Sequence, residues 1–578
     1  MTPLPAADKW FTESNEASGS EQGTWQNSHI LESQYHLTLL VVGTAKGQVL
    51  LYTFGLVHCA TVDVAAEVPG TIQILDAQFS GDMNMLSVVV ERRLELAPLD
   101  AGAEENLPAK DVAHVVVDTT VVAERHRELF TLAHKYAEIQ ALFNYSADAV
   151  TQLREAWEGV LLEMDTKLDA YSGKRGTGEV SNDFLELLVI GYAEPEFHMF
   201  LTDKLTEKGL KKLRQSVELS YTNMHKLVVK QLEAVGQGLV FVLGQVLGMA
   251  RTKDRYDLLG VDEVGVNTAL KEAGAFLLKT SELQQVILVS MKYFLAFLKW
   301  LSCTHLRISG SNVPQELAKT TNEEQTDVFN FISSIEDIVI DNDGQQHRQF
   351  KLESVGQYLQ DADLSSPLEC ESNPWLKFLI EHPEVSKLPL ILPQRRKTSL
   401  IQEHNILSKE LTRLANTSIE TIGKNIKISQ GNSLFSVRDE TCDVIITQRS
   451  QDSTHKMHLM AAPNSKSLLF YFFQWDTDVN EIYFQATKLE RRDKIYVAAF
   501  NFSQNILSLN SPSKSTDSDN KPETNISAGQ FYNGDMVSVI FEDSSTMMRS
   551  LFVQVRCSSV NYYNFHLIWT IYWQCENR

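Results

Sequence analysis

Between Leu129 and Tyr171 the residues Leu129, Leu132, Tyr136, Ile139, Phe143, Ala147, Val150, Leu153, Trp157, Val160, Met164, Leu168 and Tyr171 recur every three or four positions, with no proline among them. That stagger keeps one face of an α-helix apolar. A helix running unbroken through these positions would be roughly 65 Å long at ~1.5 Å per residue, far beyond the usual three or four turns. Exposing the whole stripe would forfeit on the order of 20 kcal/mol, at roughly 2 kcal/mol per large side chain. Partner helices of similar length are therefore required.

Two further stripes supply them. Leu210, Leu213, Val217, Tyr221, Met224, Val228, Val235, Leu239, Val242, Val246 and Met249 repeat the register, and Val266, Leu270, Ala273, Leu277, Ile287, Met291, Phe294, Leu298 and Leu301 repeat it again. Between the first and second, Ser181 is the expected N-cap of a shorter helix through Phe184, Leu187 and Leu188, and Pro195 is expected to break or kink it before Phe197 to Leu205. These stripes predict an elongated antiparallel bundle of about four helices whose aromatic and methionine residues are core. Ala234 to Ala250 carries no charge, but it holds Gln237 and Gln245 and continues a helical stripe, so a buried helix is expected rather than a membrane span.

The rest of the chain reads differently. Residues 1–34 are rich in Glu, Ser, Asn and Gly, which predicts a flexible lead-in. Tyr35 to Val42, Gln48 to Phe54, Leu56 to Val64, Ile72 to Phe79 and Met85 to Val90 are short β-type runs joined by Gly and Asp turns, among them Gly43 to Gly47 and Ser80-Gly81-Asp82. Antiparallel sheet follows, with a propeller blade among the candidates. Past the helical stripes, Thr321 and Glu324 form a capping box ahead of Val328, Phe329, Ile332 and Ile335, and Asp341 to Ser399 is irregular and punctuated by prolines, a connector laid along other domains. Strands are expected again at Asp443 to Thr447, Leu468 to Trp475, Glu481 to Phe484, Lys494 to Phe500, Met536 to Phe541, Ser550 to Val555 and Phe565 to Trp573, with Ser511 to Ser527 a loose loop. Strands thus flank the helices on both sides, as though one β domain were split by a helical insertion.

Function classes narrow by exclusion. With 578 residues the chain exceeds the ~250 at which single cores stop growing, so several domains are expected. A formal net charge of -22 disfavours coating nucleic acid, which needs clustered Lys and Arg. Two basic runs, Lys208 to Arg214 and Arg395 to Lys397, are exceptions that fit a solvated face or a protein contact. Cys59, Cys303, Cys370, Cys442, Cys557 and Cys575 have no C-x-x-C spacing, and no apolar leader opens the chain, which fits a reducing cytosolic or nuclear compartment. Gly43 to Gly47 lacks the Gly-Lys-Ser/Thr of a phosphate loop, and His455 and His458 lack acidic or thiol companions for zinc. No G-x-S-x-G or H-E-x-x-H occurs, and the Glu323-Glu324 pair is unremarkable in an acidic chain. The residues predict a structural or interaction protein with no catalytic, cofactor-binding or metal residues to nominate. A membrane-traffic coat or tether is the alternative scaffold.

Several local sequences carry a more specific likeness. Lys208-Gly209-Leu210-Lys211-Lys212-Leu213 with Gln215-Ser216-Val217-Glu218 and Ser220-Tyr221, and Glu155-Ala156-Trp157-Glu158 with Met164-Asp165, resemble the helical domain of the anaphase-promoting complex subunit 4 family. Val355-Gly356-Gln357-Tyr358-Leu359, Ser366-Pro367, Trp375 and Arg396-Lys397-Thr398-Ser399-Leu400 resemble its connector, and Gln530-Phe531-Tyr532 with Val537-Ser538-Val539 its returning β region. The matches are collinear from about Thr38 to Val560.

The resemblance implies a multidomain fold, a WD-type β-propeller interrupted by an elongated antiparallel four-helix bundle. It further implies a non-catalytic scaffold of a multisubunit E3 ubiquitin ligase that controls mitotic progression and exit by marking cyclins and securin. The implied partners are other subunits of the complex, notably platform subunits 1 and 5, with no nucleic acid and no membrane; the implied location is nucleus and cytoplasm. On this reading 1–34 is lead-in, 35–118 partial propeller, 119–310 helical bundle, 311–420 helix and connector, and 421–578 returning propeller strands with a loose loop near 503–528. The family's first blades and its last strands and acidic tail are expected to be missing, which would leave the propeller incomplete and a sheet edge unpaired.

Overall fold

The stripe from Leu129 to Tyr171 forms a single helix: α1, His126–Ser172, runs for 47 residues without a break, ~70 Å at the usual rise. Leu129, Leu132, Ile139, Val150, Leu153, Trp157 and Val160 are buried along it, while the side chains of Met164, Leu168 and Tyr171 lie outside the described residues. The computed structural model describes residues 35–66, 71–93, 110–172, 179–315, 319–333, 336–340, 346–350, 353–365, 374–386, 388, 391–428, and then the strand segments 432–437, 445–450, 456–464, 467–476, 481–492, 495–501, 507–508, 524–532, 536–543, 548–557 and 567–574. The chain divides into two compact units, one of Met1–Ser28, Lys135–Lys253 and Val261–Ala415, the other of His29–His134, Asp254–Gly260 and Asn416–Arg578.

The first unit is mainly helical. It holds α1 from Lys135 onward, α2 (Glu179–Val189), α3 (Glu207–Arg251), α4 (Glu263–Ile308) and α5 (Asn322–Ser333). Thr206 Oγ1 accepts from Gly209 N at 3.2 Å at the start of α3, and Asp262 Oδ2 accepts from Gly265 N at 2.9 Å at the start of α4, each closing one of the orphan donors of a first turn. A π-helical turn, Val228–Glu233, lies within α3, and Val228, Leu232 and Val235 remain buried across it. Aromatic rings pin the helices together: Tyr221 of α3 meets Phe294 of α4 edge-on at 6.3 Å, Phe294 and Phe297 lie 4.8 and 4.5 Å from Phe331 of α5, and Phe184 of α2 meets Phe297 at 5.4 Å. Offset and edge-to-face pairs of this kind add about 0.5–1.5 kcal/mol each beyond their burial. By length and composition α3 and α4 could each cross a membrane, yet Val235, Leu239, Val242, Leu243 and Val246 are buried within the unit.

Some local expectations shift. The helix expected to start at Ser181 begins at Glu179, and Pro195 opens the short helix Pro195–Met199 at its first position, where its missing N–H costs nothing. The capping box forms as read, with Glu324 N donating to Thr321 Oγ1 at 3.2 Å and Thr321 N to Glu324 Oε2 at 3.1 Å. The helix expected after it is α5, with Val328 and Ile332 buried and Phe329 49% exposed; its inward face is Val328, Phe331 and Ile332 at i, i+3 and i+4. Ile335 lies outside the described residues. The stretch read as irregular from Asp341 contains one strand of a hairpin, β7 (Glu336–Ile340) with β8 (Gln346–Phe350), and helical turns at Glu353–Leu359 and Pro374–Glu381. A 26-residue helix, α6 (Leu400–Asn425), follows it, and the sequence reading had not singled it out.

The second unit is built on antiparallel sheets, none of them closed into a barrel among the described residues. Strands β1 (Leu39–Gly43), β2 (Gln48–Thr53) and β3 (Val57–Asp63) form a meander. Gly43 to Gly47 is the hairpin between β1 and β2, with Gly47 at φ 78 and Thr44 N donating to Gln48 O at 2.9 Å. Then come β4 (Thr71–Phe79), β5 (Met85–Arg93) and β6 (Lys110–Asp118), the last a strand the sequence reading did not name.

After the helical stretch the chain returns as β9 (Lys427–Ile428) and β10 (Asn432–Val437), and both pair antiparallel with β6. Asn432 stands opposite His114, and Ser433 Oγ donates to Asp111 Oδ1 at 2.5 Å. A short strand, β16 (Leu507–Ser508), adds in parallel to β10. Farther on, β11 (Ile445–Ser450), β12 (Lys456–Asn464), β13 (Ser467–Asp476), β14 (Glu481–Arg492) and β15 (Ile495–Asn501) make a five-stranded meander, and β17 (Thr524–Tyr532), β18 (Met536–Asp543), β19 (Met548–Cys557) and β20 (Leu567–Gln574) a four-stranded one. Thr524 to Ser527, expected in the loose loop, are therefore strand, and 511–523 lie outside the described residues, as does the lead-in 1–34.

Candidate functional site

In the helical unit a polar assembly fastens the segment after Glu353 between α4 and α6. The start of α6 is a second capping box: Ser399 Oγ accepts from Gln402 N at 3.2 Å, and Ser399 N donates to Gln402 Oε1 at 3.0 Å. Ser399 Oγ itself donates to Gln360 O at 2.6 Å, and Leu364 N to Lys397 O at 2.6 Å, so two turns of connector are stitched together before the helix begins.

Charged groups complete the fastening. Arg395 reaches α4 with a forked pair of bonds, Nη2 to Glu272 Oε1 at 2.8 Å and Oε2 at 2.7 Å, and reaches α6 with Nη1 to Glu403 Oε2 at 2.6 Å. Thr398 Oγ1 donates to the other oxygen of Glu403 at 2.5 Å. Two turns along α4, Lys279 Nζ donates to Arg395 O and to Glu282 Oε2, both at 2.9 Å, and Tyr358 Oη donates to Glu282 Oε1 at 2.6 Å. Glu403, Lys279 and Glu272 are all buried. Burial works against the Arg395 charge, but Glu272 and Glu403 outweigh it and raise its pKa above the usual value.

Arg395 and Glu282 are half-buried, and the buried Glu272, Glu403 and Lys279 are tolerable because all five groups bond to one another. Both oxygens of Glu272, Glu403 and Glu282 are engaged, so none is a waiting general base. The cluster holds structure together.

The rod α1 meets the same connector. Trp157 lies against Gly356, where a Cβ would stand only 2.2 Å from the indole Cζ2. Arg154 Nη2 donates to Leu359 O at 3.2 Å, and Ser146 Oγ is 3.0 Å from Nε2 of His404, whose ring stacks on Phe143 at 4.3 Å. Burial lowers the His404 pKa. Beside Trp157 opens a cavity of about 300 Å³ between Arg154, Trp157 and Glu158 and residues Gly356, Leu359, Gln360 and Asp361.

Among the described residues no three His, Cys, Asp or Glu converge as metal ligands. His458 lies in β12 and His455 is outside the described residues. Glu323 is held below the usual carboxylate range by its bond to Lys292, and Glu324 by its bond to Lys299. Burial pushes the Cys59 thiol up to about 12 and raises Cys303 also, so neither is the activated thiolate a nucleophile needs. Of the two basic runs, Arg395 is engaged internally, whereas Lys208, Lys211, Lys212 and Arg214 are exposed. The fastening at Arg395 escaped the sequence reading. Its one legible signal was the Ser399 to Gln402 capping spacing, since buried Glu and Lys give no pattern of their own.

Comparison with known proteins bears out the family likeness. Residues 114–309 match the family model described as anaphase-promoting complex, cyclosome, subunit 4. The chain is similar to the human protein named anaphase-promoting complex subunit 4, with 34% identity over 424 residues, 73% of this chain and 49% of that protein. Its mouse counterpart is 35% identical over 367 residues, 63% of this chain and 43% of that protein, and the one from Pongo abelii 34% over 393 residues, 68% and 46%. The chain spans about half the length of the curated relatives it matches.

Proposed function

We propose that this chain serves as a non-catalytic scaffold subunit of the anaphase-promoting complex, the cyclosome, with its place in the cell cycle and the ubiquitin pathway following from that membership. The reading rests on one structural observation joined to the family likeness: β6 and β10 pair although the whole helical stretch lies between them in sequence. A sheet drawn from both flanks makes the helices an insertion in a β unit, the organisation the resemblance implies. The separate antiparallel meanders are then blades of a WD-type propeller, and α1, α3 and α4 with their shorter neighbours form its inserted bundle. Unbroken helices of 47 and 46 residues suit a spacer, because a continuous helix curves gently without sharp kinks and so transmits the position of one end to the other. In the assembled ligase such a spacer would hold neighbouring subunits, notably platform subunits 1 and 5, at set separations in nucleus and cytoplasm.

Affinity purification of the tagged chain, with mass spectrometry, tests the reading. Cullin-like and RING-type subunits of the ligase should co-purify, and Trp157→Asp, which places a charge against Gly356, should lose them. Recovery of vesicle-coat components in their place would overturn it.

A further inference from the structure

The two basic runs of the sequence are treated in opposite ways by the fold. Arg395 is tied to Glu272 and Glu403. Lys208, Lys211, Lys212 and Arg214 are exposed on α3 and make no ion pair with another described residue, although Glu207 and Glu218 stand at helical spacing from Lys211 and Arg214. At 100° per residue, Lys208, Lys211, Lys212, Gln215, Leu219 and Lys226 share one face of the helix. That face is outward, since Leu210, Leu213, Val217 and Tyr221 opposite it are buried. Leu219, in the middle of the cationic stripe, is 61% exposed.

We propose that this face of α3 docks an acidic segment of a neighbouring protein, rich in Asp and Glu and carrying one apolar side chain that seats on Leu219. In a chain of net charge -22, a run of unpaired cations on one helix face is a local reversal of sign that draws anionic partners and repels a second copy of the same acidic chain. The apolar centre selects among anions: Leu219 offers nothing to a phosphodiester backbone but matches an aliphatic side chain on a peptide. From Lys208 to Lys226 the stripe spans ~27 Å at ~1.5 Å per residue, the length of a five-turn helix. This inference goes beyond the proposed membership in the ligase and does not depend on it, because binding can be measured on the isolated chain.

The probe is a fluorescein-labelled glutamate-rich peptide of about 18 residues, long enough to follow the stripe, with a central leucine, titrated with the full chain and read by fluorescence anisotropy. Binding should weaken as salt rises. The triple variant Lys208→Glu/Lys211→Glu/Lys212→Glu should lose about tenfold or more in affinity, and Leu219→Ser about threefold. All four positions are exposed, so thermal melting should not move; the milder Lys208→Gln/Lys211→Gln/Lys212→Gln set, expected to lose about threefold, serves if the reversal disturbs folding. Absent peptide binding, wild-type affinity in the variants, or duplex DNA bound as tightly as the peptide would each overturn the proposal.

Discussion

Gly356→Ala sets two effects of opposite sign against each other. Gly356 has φ -61 and ψ -36, an ordinary helical conformation in which alanine is favoured over glycine by about 0.5–1 kcal/mol. Propensity alone would make the variant more stable. The new Cβ, however, would lie 2.2 Å from Trp157 Cζ2 and 2.5 Å from Cη2, where carbon atoms rest at about 3.5–4.0 Å. The buried indole must swing toward the cavity beside it, and overpacking of this kind costs about 1–3 kcal/mol. At the middle of these ranges the clash wins by about 1 kcal/mol, equivalent to about 5-fold in the opening equilibrium of this segment. Hydrogen exchange of the amides of Val355 to Leu359 reads that quantity locally and does not require two-state unfolding of so large a chain. In a Trp157→Ala background the clash partner is gone, and Gly356→Ala should become neutral or slow the exchange. If Gly356→Ala slows exchange in the wild-type background, the indole is not seated on Gly356 and the packing of the rod on the connector is wrong.

Arg395→Ala removes the shared partner of Glu272 and Glu403 and should destabilise the helical unit by about 3–5 kcal/mol in urea denaturation, with Arg395→Lys recovering only part because an ammonium cannot form the fork; an unchanged midpoint would contradict the fastening. His114, on β6 with Nε2 2.7 Å from Ser87 Oγ, has its pKa lowered by burial from 6.5 to about 3. The unfolded chain therefore takes up a proton that the folded chain refuses, so stability falls as pH drops from 6.5 and levels off below about 3, by up to ~5 kcal/mol; an imidazole NMR titration showing half-protonation near 6.5 would refute this. Gly260 has φ +71, and a Cβ there would lie 2.6 Å from Thr421 Oγ1 and 2.9 Å from Thr417 O. Gly260→Ala combines left-handed strain with a backbone clash and should cost at least about 3 kcal/mol in melting of the β unit, against a negligible change if the turn is looser than described.

What could be read from the sequence follows from the range of each signal. The seam of α1 repeats a dozen times, so it specified a helix and its buried face, and the Thr321 capping box and the Gly43 to Gly47 hairpin were local enough to read directly. The pairing of β6 with β10 was not legible, because alternation fixes which face a strand buries but not its partner, and Ser433 and Asp111 are 322 residues apart. Helix α6 was missed because its inward face, Leu400, Leu407, Leu414, Ser418 and Ile422, is thin and interrupted by Glu403 and His404. Those two residues face inward because Arg395 and Phe143 await them, which no periodicity reveals.

The central claim is that α1 is a single stiff helix. Spin labels at Thr131 and Leu162, the latter 69% exposed, stand 31 positions apart on it, so pulsed dipolar spectroscopy should give one narrow distance near ~46 Å between backbone sites. A distribution that is broad, or centred well below that distance, would show the rod to be jointed and would contradict the account.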